Sequence, residues 1–391
     1  MPKFAVIFEA SPFDRKGLFN AVHNRVKHLL SSGKCEVDVF CIHSKDSSFT
    51  RKVRQTPKVK SVDHVILDGI KYNLLWYRFS ILDHVIVEKF HRRPLLFRRF
   101  IKNSLSVLKG YDAVISHSFT GGLLAYEAFC CYGIPYYASW HGSDVHTHPW
   151  RVPVILEDTI KIMENAVCNF FVSKALMMYS SKIAQNAVKK VLYNGVADDF
   201  VKFDEVKRAE LRAVYGLATG EKVVAYVGNL SAVKNVLVLP EVFAEVAKRY
   251  AAPLKFWIVG DGKLRQQLSG SVSELATEDP RLSVRFFGNL SAEEMPTIMN
   301  CIDVLVLPSK NEGLGMVCAE AIRCGANAVG AAVGGIAEVV GAENVVPHGD
   351  GFVNGMAEKI AHMLSSEVKQ ELPADIDWTI TASAELAELL R

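Results

Sequence analysis

The chain lacks any apolar run long enough to cross a bilayer, and Met1-Pro2-Lys3 leads directly into the strand-length stretch Phe4 to Phe8 rather than into a signal peptide. The expected compartment is therefore the cytoplasm. Cysteine is sparse: there are eight in 391 residues, the only close pair is Cys130-Cys131, and no C-x-x-C spacing occurs. That excludes zinc ribbons and dithiol redox chemistry and leaves reduced, mostly buried thiols. No repeat of solenoid length, low-complexity segment or recognised nucleic-acid-binding motif is present, so an array, a disordered chain and a nucleic-acid partner are not expected.

What remains is globular: 50% of the residues are hydrophobic and 22% charged. The length exceeds one ordinary core and predicts two domains. The net charge of +3 hides an asymmetry, with 27 Lys plus Arg against 15 Asp plus Glu up to Val196, and 18 against 27 beyond it. A first half at +12 and a second at −9 suggest an anionic partner for the first. The basic excess gathers in Arg51-Lys52-Val53-Arg54 with Lys58 and Lys60, and in Lys89 to Lys109. In that second segment Phe90, Leu95, Leu96, Phe97, Phe100 and Ile101 interleave with Arg92, Arg93, Arg98, Arg99 and Lys102. It reads as one basic amphipathic helix, lying either on anionic lipid or against its own domain.

Apolar strand candidates alternate with helix-length segments nearly throughout. They are Phe4 to Phe8, Val37 to Ile42, Val62 to Leu67, Ala113 to Ser116, Tyr136 to Trp140, Phe170 to Ser173 and Val188 to Tyr193. After these come Val223 to Val227, Phe256 to Val259, Val284 to Phe287, Val304 to Leu307 and Ala328 to Ala331. Such alternation predicts α/β architecture, two parallel sheets covered on both faces. The sequence thus predicts a first domain over 1–197, a linker over 198–222 and a second domain over 223–372. The remainder, 373–391, carries a helix from Thr379 to Leu390 that can return to the first domain. Ser291-Ala292-Glu293-Glu294 is a capping-box pattern predicting a helix to Asn300. Gly17 to Leu30 sets Leu18, Val22, Val26, Leu29 and Leu30 on one helical face.

The stretch Pro308 to Val340 organises the rest. Its glycines begin where the strand Val304 to Leu307 ends, the place where open α/β sheets bind ligands. A helix from Leu314 to Cys324, closed by Gly325, would turn its first amides toward a crevice beside Gly313 and Gly315. An anion on those amides, with Glu312 and Glu320 accepting from neutral hydroxyls, suits a sugar nucleotide; an ordinary strand-turn-helix unit is the alternative. His141, in Ser139-Trp140-His141-Gly142-Ser143-Asp144, stands at a strand end and is a candidate site residue, as more weakly is His117. Asp144, His146 and His148 have no fourth ligand at metal spacing. Lys234, after Val227-Gly228-Asn229-Leu230, can pair with a diphosphate or be a solvated loop lysine. Gly260-Asp261-Gly262 reads as turn chemistry, and Asp375-Ile376-Asp377 as a polar tail rather than a metal clamp.

Taken together these residues resemble the retaining glycosyltransferases of family 4. The resemblance covers nearly the whole chain and is carried most specifically by the E-x7-E pair Glu312 and Glu320. The other landmarks follow in order: Gly17, His141-Gly142-Ser143-Asp144, Asn194-Gly195-Val196, Gly228 to Lys234, Gly260-Asp261-Gly262 and Gly334-Gly335. It implies a GT-B fold, two Rossmann-like domains facing an interdomain cleft, with the donor half in the second. It also implies transfer of a sugar from a UDP- or GDP-linked donor, with retention and without a metal or other cofactor, to a glycan or lipid-linked acceptor in surface polysaccharide assembly.

The roles implied are specific. Glu320 would bond the ribose, Glu312 the donor sugar, and Lys234 the diphosphate; Gly17 would let the first loop approach, and His141 would touch the sugar near the reacting carbon. Gly313, Leu314, Gly315 and Asn229 complete the donor side. Three departures stand out: Asn229 replaces the usual arginine, Asn327-Ala328 the usual Pro-Val, and Phe13-Asp14-Arg15-Lys16-Gly17 lacks a glycine pair, with Arg15 or Lys16 as substitute cations. A nucleotide-sugar epimerase or hydrolase, or a non-catalytic nucleotide-sugar-binding partner, are the alternatives. A peripheral contact with the inner membrane face through Lys89–Lys109 is a further expectation.

Overall fold

The computed structural model describes residues 1–13, 17–46, 61–278, 283–367 and 369–391. The chain divides into two α/β units, one of Met1–Asn194 with Trp378–Arg391 and the other of Gly195–Asp377. The strands of the first unit are β1 (Lys3–Glu9), β2 (Glu36–Asp46), β3 (His64–Leu67), β4 (Ile70–Phe79), β5 (Ala113–His117), β6 (Tyr136–Trp140), β7 (Cys168–Phe171) and β8 (Lys189–Val191). They form one sheet in the order β3-β4-β2-β1-β5-β6-β7-β8, parallel except for the β3–β4 hairpin. The second unit has β9 (Lys222–Val227), β10 (Leu254–Val259), β11 (Ser283–Gly288), β12 (Val304–Leu307), β13 (Asn327–Ala331) and β14 (Val345–Val346), ordered β11-β10-β9-β12-β13-β14. That is the Rossmann order, all parallel.

Continuous apolar strands follow from burial on both faces: Ala5 to Phe8, Val223 to Tyr226 and Val304 to Val306 are wholly inside. One face of the first sheet is covered by the helices Gly17–Ser31 and Trp378–Leu389, whose Phe19, Val22, Val26, Leu29, Ala382 and Leu386 join the core formed with Phe8, Ile115 and Phe170. Another helix, Ser118–Tyr132, comes so near β1 that a Cβ at Gly121 would stand 2.5 Å from the Ile7 carbonyl oxygen. Helix-bearing α/β connections require that closeness, and only glycine allows it here.

Four expectations are corrected. The expected linker 198–222 contains the helix Glu205–Val214, part of the second unit. Arg208 and Arg212 reach the buried Asp303 at 3.0 and 3.1 Å, and Asp303 also accepts from the Val223 amide; removing the helix would take both guanidiniums from that carboxylate and leave Lys222, at 3.6 Å, to pair with it. The chain passes instead from the first unit to the second at Asn194 and Gly195, and returns to the first at Trp378. The basic segment Lys89–Lys109 is not one helix. Ile81–Phe90 ends at His91, whose φ is 50°, and Leu95–Ser104 starts after Pro94. Strand β4 was not expected at all, and the helix expected from Ser291 runs over Met295–Cys301, although Ser291 and Glu294 do exchange the two capping-box bonds.

Candidate functional site

In a Rossmann order the ligand crevice opens where the strand order reverses. In the second unit that point lies between β9 and β12, and the loops that follow these strands carry Gly228 to Lys234 and Pro308 to Gly315. The first loop is fixed by glycine contacts. Tyr226 donates its hydroxyl to the Asn229 carbonyl at 2.9 Å. A Cβ at Gly260 would fall 2.0 Å from Gly228 O, and one at Gly262 2.4 Å from Asn229 Oδ1. Gly260-Asp261-Gly262 is therefore a close-approach turn, and Asn229 lies over it.

Lys234 ends the short turn Ala232–Lys234 and forms an ion pair with Glu312 Oε1. Ser309, itself fully buried, donates to the same oxygen at 2.9 Å. The two loops are stitched together by the Lys310 amide, which donates to Val233 O at 2.8 Å. A third segment clamps Glu312 from behind: Gly335 N donates to Gly313 O, and a Cβ at Gly334 would stand 1.9 Å from Glu312 O. Leu314 is buried, and Gly315, at φ 87°, opens the helix Met316–Arg323. The helix thus starts two residues later than expected, because Gly315 takes the left-handed conformation. Glu320 sits within it, and desolvation by the surrounding protein raises its carboxyl to about 7.

In the first unit the order reverses between β1 and β5, and His117 is the last residue of β5. His141 follows β6. Its amide and that of Gly142 donate to Asp144 at 3.1 and 2.8 Å, which fixes the turn. His117 Nδ1 lies 3.0 Å from His141 Nε2. Burial, and then the positive charge of Arg25, lower His141 to about 3 and His117 well below the ordinary imidazole range. Asp144, His146 and His148 do not converge; His146 packs against Tyr179 instead. Among the described residues no three His, Cys, Asp or Glu side chains gather as a metal site would need. Gly17, at φ 38°, begins its helix, whereas Arg15, Lys16, Arg51-Lys52-Val53-Arg54, Lys58 and Lys60 lie outside the described residues.

Lys234 and Glu312, and likewise His117 and His141, are separate candidates in the sequence that the structure brings together. It missed Ser309 and Arg25. Ser309 could have been found three residues ahead of Glu312 in a loop, where a hydroxyl commonly turns back to a carboxylate. Arg25 lies on the apolar helix face of Val22, Val26 and Leu29, and a charge there signals a buried partner, here Glu385 at 2.5 Å.

On the surface of the first unit, Arg93 is held by Asp158 and Glu127. Phe100 and Ile101 are buried, while Leu82, Phe90, Leu95 and Leu96 are exposed. A cavity of about 490 Å³ lies here, lined by Phe90, Leu95 and Val154 with Arg92 and Arg98. No helix among the described residues is long and apolar enough to cross a membrane.

Residues 207–377 match the family model "Glycosyl transferases group 1". N-acetyl-alpha-D-glucosaminyl L-malate synthase of Bacillus anthracis is 29% identical over 185 residues, 46% of this chain and 45% of that protein. The chain thus spans under half the length of that relative. Among solved structures, Anabaena HepE in complex with UDP superposes with a TM-score of 0.68 at 18% identity, covering 100% of this chain and 99% of that one. The lipopolysaccharide outer core galactosyltransferase WaaB gives 0.66 at 18%, covering 99% of each. The fold is GT-B, two Rossmann-like units, and its residues 207–377 are similar to the group 1 glycosyl transferases.

Proposed function

We propose that the chain is a retaining glycosyltransferase that moves a sugar from a nucleoside diphosphate to a glycan or lipid-linked acceptor in surface polysaccharide assembly. The observation that carries this is the cluster of Lys234, Glu312 and Ser309 at the reversal point of the second sheet, with Glu320 on the helix that follows. In the donor complex Lys234 exchanges Glu312 for the diphosphate, and Glu312 turns to the sugar hydroxyls. Glu320 accepts from the ribose. Lys234 and the first amides of Met316–Arg323 stabilise the charge that develops as the glycosidic bond breaks, a task fixed cations and helix dipoles perform without a metal. The first unit's own candidate for the reaction is His141, at the end of β6. The HepE complex makes uridine the first base to test, and WaaB supports a surface glycan as product.

The exposed Leu82, Phe90, Leu95 and Leu96 beside Arg92, Arg98, Arg99 and Lys102, a surface suited to anionic lipid, support an acceptor held at a membrane. The test is turnover of UDP- and GDP-sugars with and without a lipid-linked acceptor, with the product anomer read by NMR. Acceptor-dependent release of nucleoside diphosphate with the donor's anomeric configuration is expected. Equal turnover without acceptor would favour an epimerase or hydrolase, and nucleotide binding without turnover a non-catalytic partner. Glu320→Ala should lose most nucleotide affinity in a thermal shift.

A further inference from the structure

We propose that His117 is a positioning residue for His141, fixing which of its ring nitrogens carries the proton and holding the ring at one angle to the sheet. This rests on His141 acting in the transfer reaction proposed above.

The geometry is specific. His117 closes β5 in register with Phe8 on one side and Ser139 on the other, and is 1% exposed. Its neighbour Ser118 has a φ of 62°, so the chain turns sharply away and leaves the imidazole pinned at the strand end. Its Nδ1 faces His141 Nε2 at 3.0 Å, with the rings 5.3 Å apart and inclined by 32°. Two neutral imidazoles at this distance share one proton, so one nitrogen donates and the other accepts. The proton on the far nitrogen of His141, Nδ1, is then decided by His117: present if His141 Nε2 accepts, absent if it donates.

The surroundings keep both rings neutral. Arg25, from the helix Gly17–Ser31, projects its charge on both rings and is itself buried, paired with Glu385 of Trp378–Leu389 and placed over Phe170. Asp144, on the turn after β6, has its carboxylate occupied by the His141 and Gly142 amides. Glu9, at the end of β1, is taken by Thr120 and Tyr77. Asp144 and Glu9 thus have no free carboxylate oxygen to draw a second proton onto the pair, and the tautomer of His141 is tied to that of His117 through their one shared hydrogen bond. His141 then presents a fixed donor or a fixed acceptor to a sugar hydroxyl, and an orienting partner of this kind acts on the rate more than on binding.

The experiment uses the full chain with two polar replacements. Asn places its amide where His117 Nδ1 stands, whereas Gln carries it farther out, to the Nε2 position. His117→Asn should keep donor kcat within a few fold and leave one ¹⁵N tautomer pattern for His141. His117→Gln should lower kcat about 10- to 100-fold at nearly unchanged donor KM and give mixed His141 tautomers. Equal losses in both variants with an unaltered His141 pattern would mean that position 117 only fills space, and would overturn the proposal. If His117→Gln does not fold, the unaltered protein decides: a mixture of His141 tautomers there overturns it as well. The ¹⁵N readout needs no turnover, so a chain that transfers no sugar refutes the reading of function and leaves the histidine pair separately testable.

Discussion

Glu312 Oε1 accepts from both Lys234 and Ser309, so one carboxylate oxygen holds the cation that a diphosphate needs. Binding must therefore exchange one anion for another at Lys234. In Glu312→Gln the amide cannot neutralise the ammonium, which is left to the ligand. Titration calorimetry should find free nucleoside diphosphate bound as tightly as by the unaltered chain or several-fold tighter, while transfer falls by about 100-fold. Loss of nucleotide binding would show instead that the ion pair builds the loop. Glu320 gives a second test at this scale. Its carboxyl is raised to about 7 by desolvation, so the folded chain holds that proton longer than the unfolded one. Its contribution to stability is therefore complete at low pH and is lost as pH rises toward about 7. A ribose hydroxyl donates more strongly to the ionised form than to the neutral acid, so affinity for a nucleotide sugar should rise through the same interval. The sugar-linked diphosphate has no proton to lose there, so the slope belongs to the protein. Glu320→Gln should bind weakly and without that slope; a flat profile in the unaltered chain would remove the ribose role.

The same site seen as elements is a set of strand-end loops held against one another, and Gly334 is the contact between two of them. Its φ is 52°, and a Cβ would meet Glu312 O at 1.9 Å. Gly334→Ala should cost about 2 kcal/mol in chemical denaturation and shift Glu312 enough to weaken its pair with Lys234. Unchanged stability would mean that the loop gives way freely. Such contacts join residues far apart in sequence, so only the glycines and the family order pointed to them. The strands around them were legible because parallel strands buried on both faces are continuous apolar runs: β6 and β12 fall on their expected bounds. Strand β4 was not, because Ile70-Lys71-Tyr72-Asn73 mixes polar with apolar positions. Its signal was the turn Asp68-Gly69, both at positive φ, joining it to β3 as a hairpin. Pro94 likewise announced the break in the basic segment. Ser309 and Arg25 carried weaker signals, a hydroxyl three residues ahead of a glutamate and a charge on an apolar helix face, and the partner of Arg25, Glu385, is identified only by the folded geometry.

Along the chain the charge divides nearly where the first crossing between the units lies, with the excess of Lys and Arg ending at Val196 and the long segment of the first unit at Asn194. Not all of that excess is free to meet a partner. Arg93 is committed to Asp158 and Glu127, and Arg25 to Glu385, so both serve the interior of the first unit. Arg92, Arg98, Arg99 and Lys102 remain exposed next to Phe90, Leu95 and Leu96. A basic residue near an anionic bilayer contributes about 1 kcal/mol, so replacing Arg92, Arg98 and Arg99 by Ala should weaken binding to phosphatidylserine vesicles about 100-fold. Binding should also fall with salt and be weak on zwitterionic vesicles, as an electrostatic contact requires. Arg93→Ala separates charge from structure: it leaves Asp158 buried without its guanidinium, so it should lower stability while the folded protein still sediments with vesicles. Unchanged sedimentation of the triple variant would assign the exposed leucines and arginines to some role other than a lipid surface.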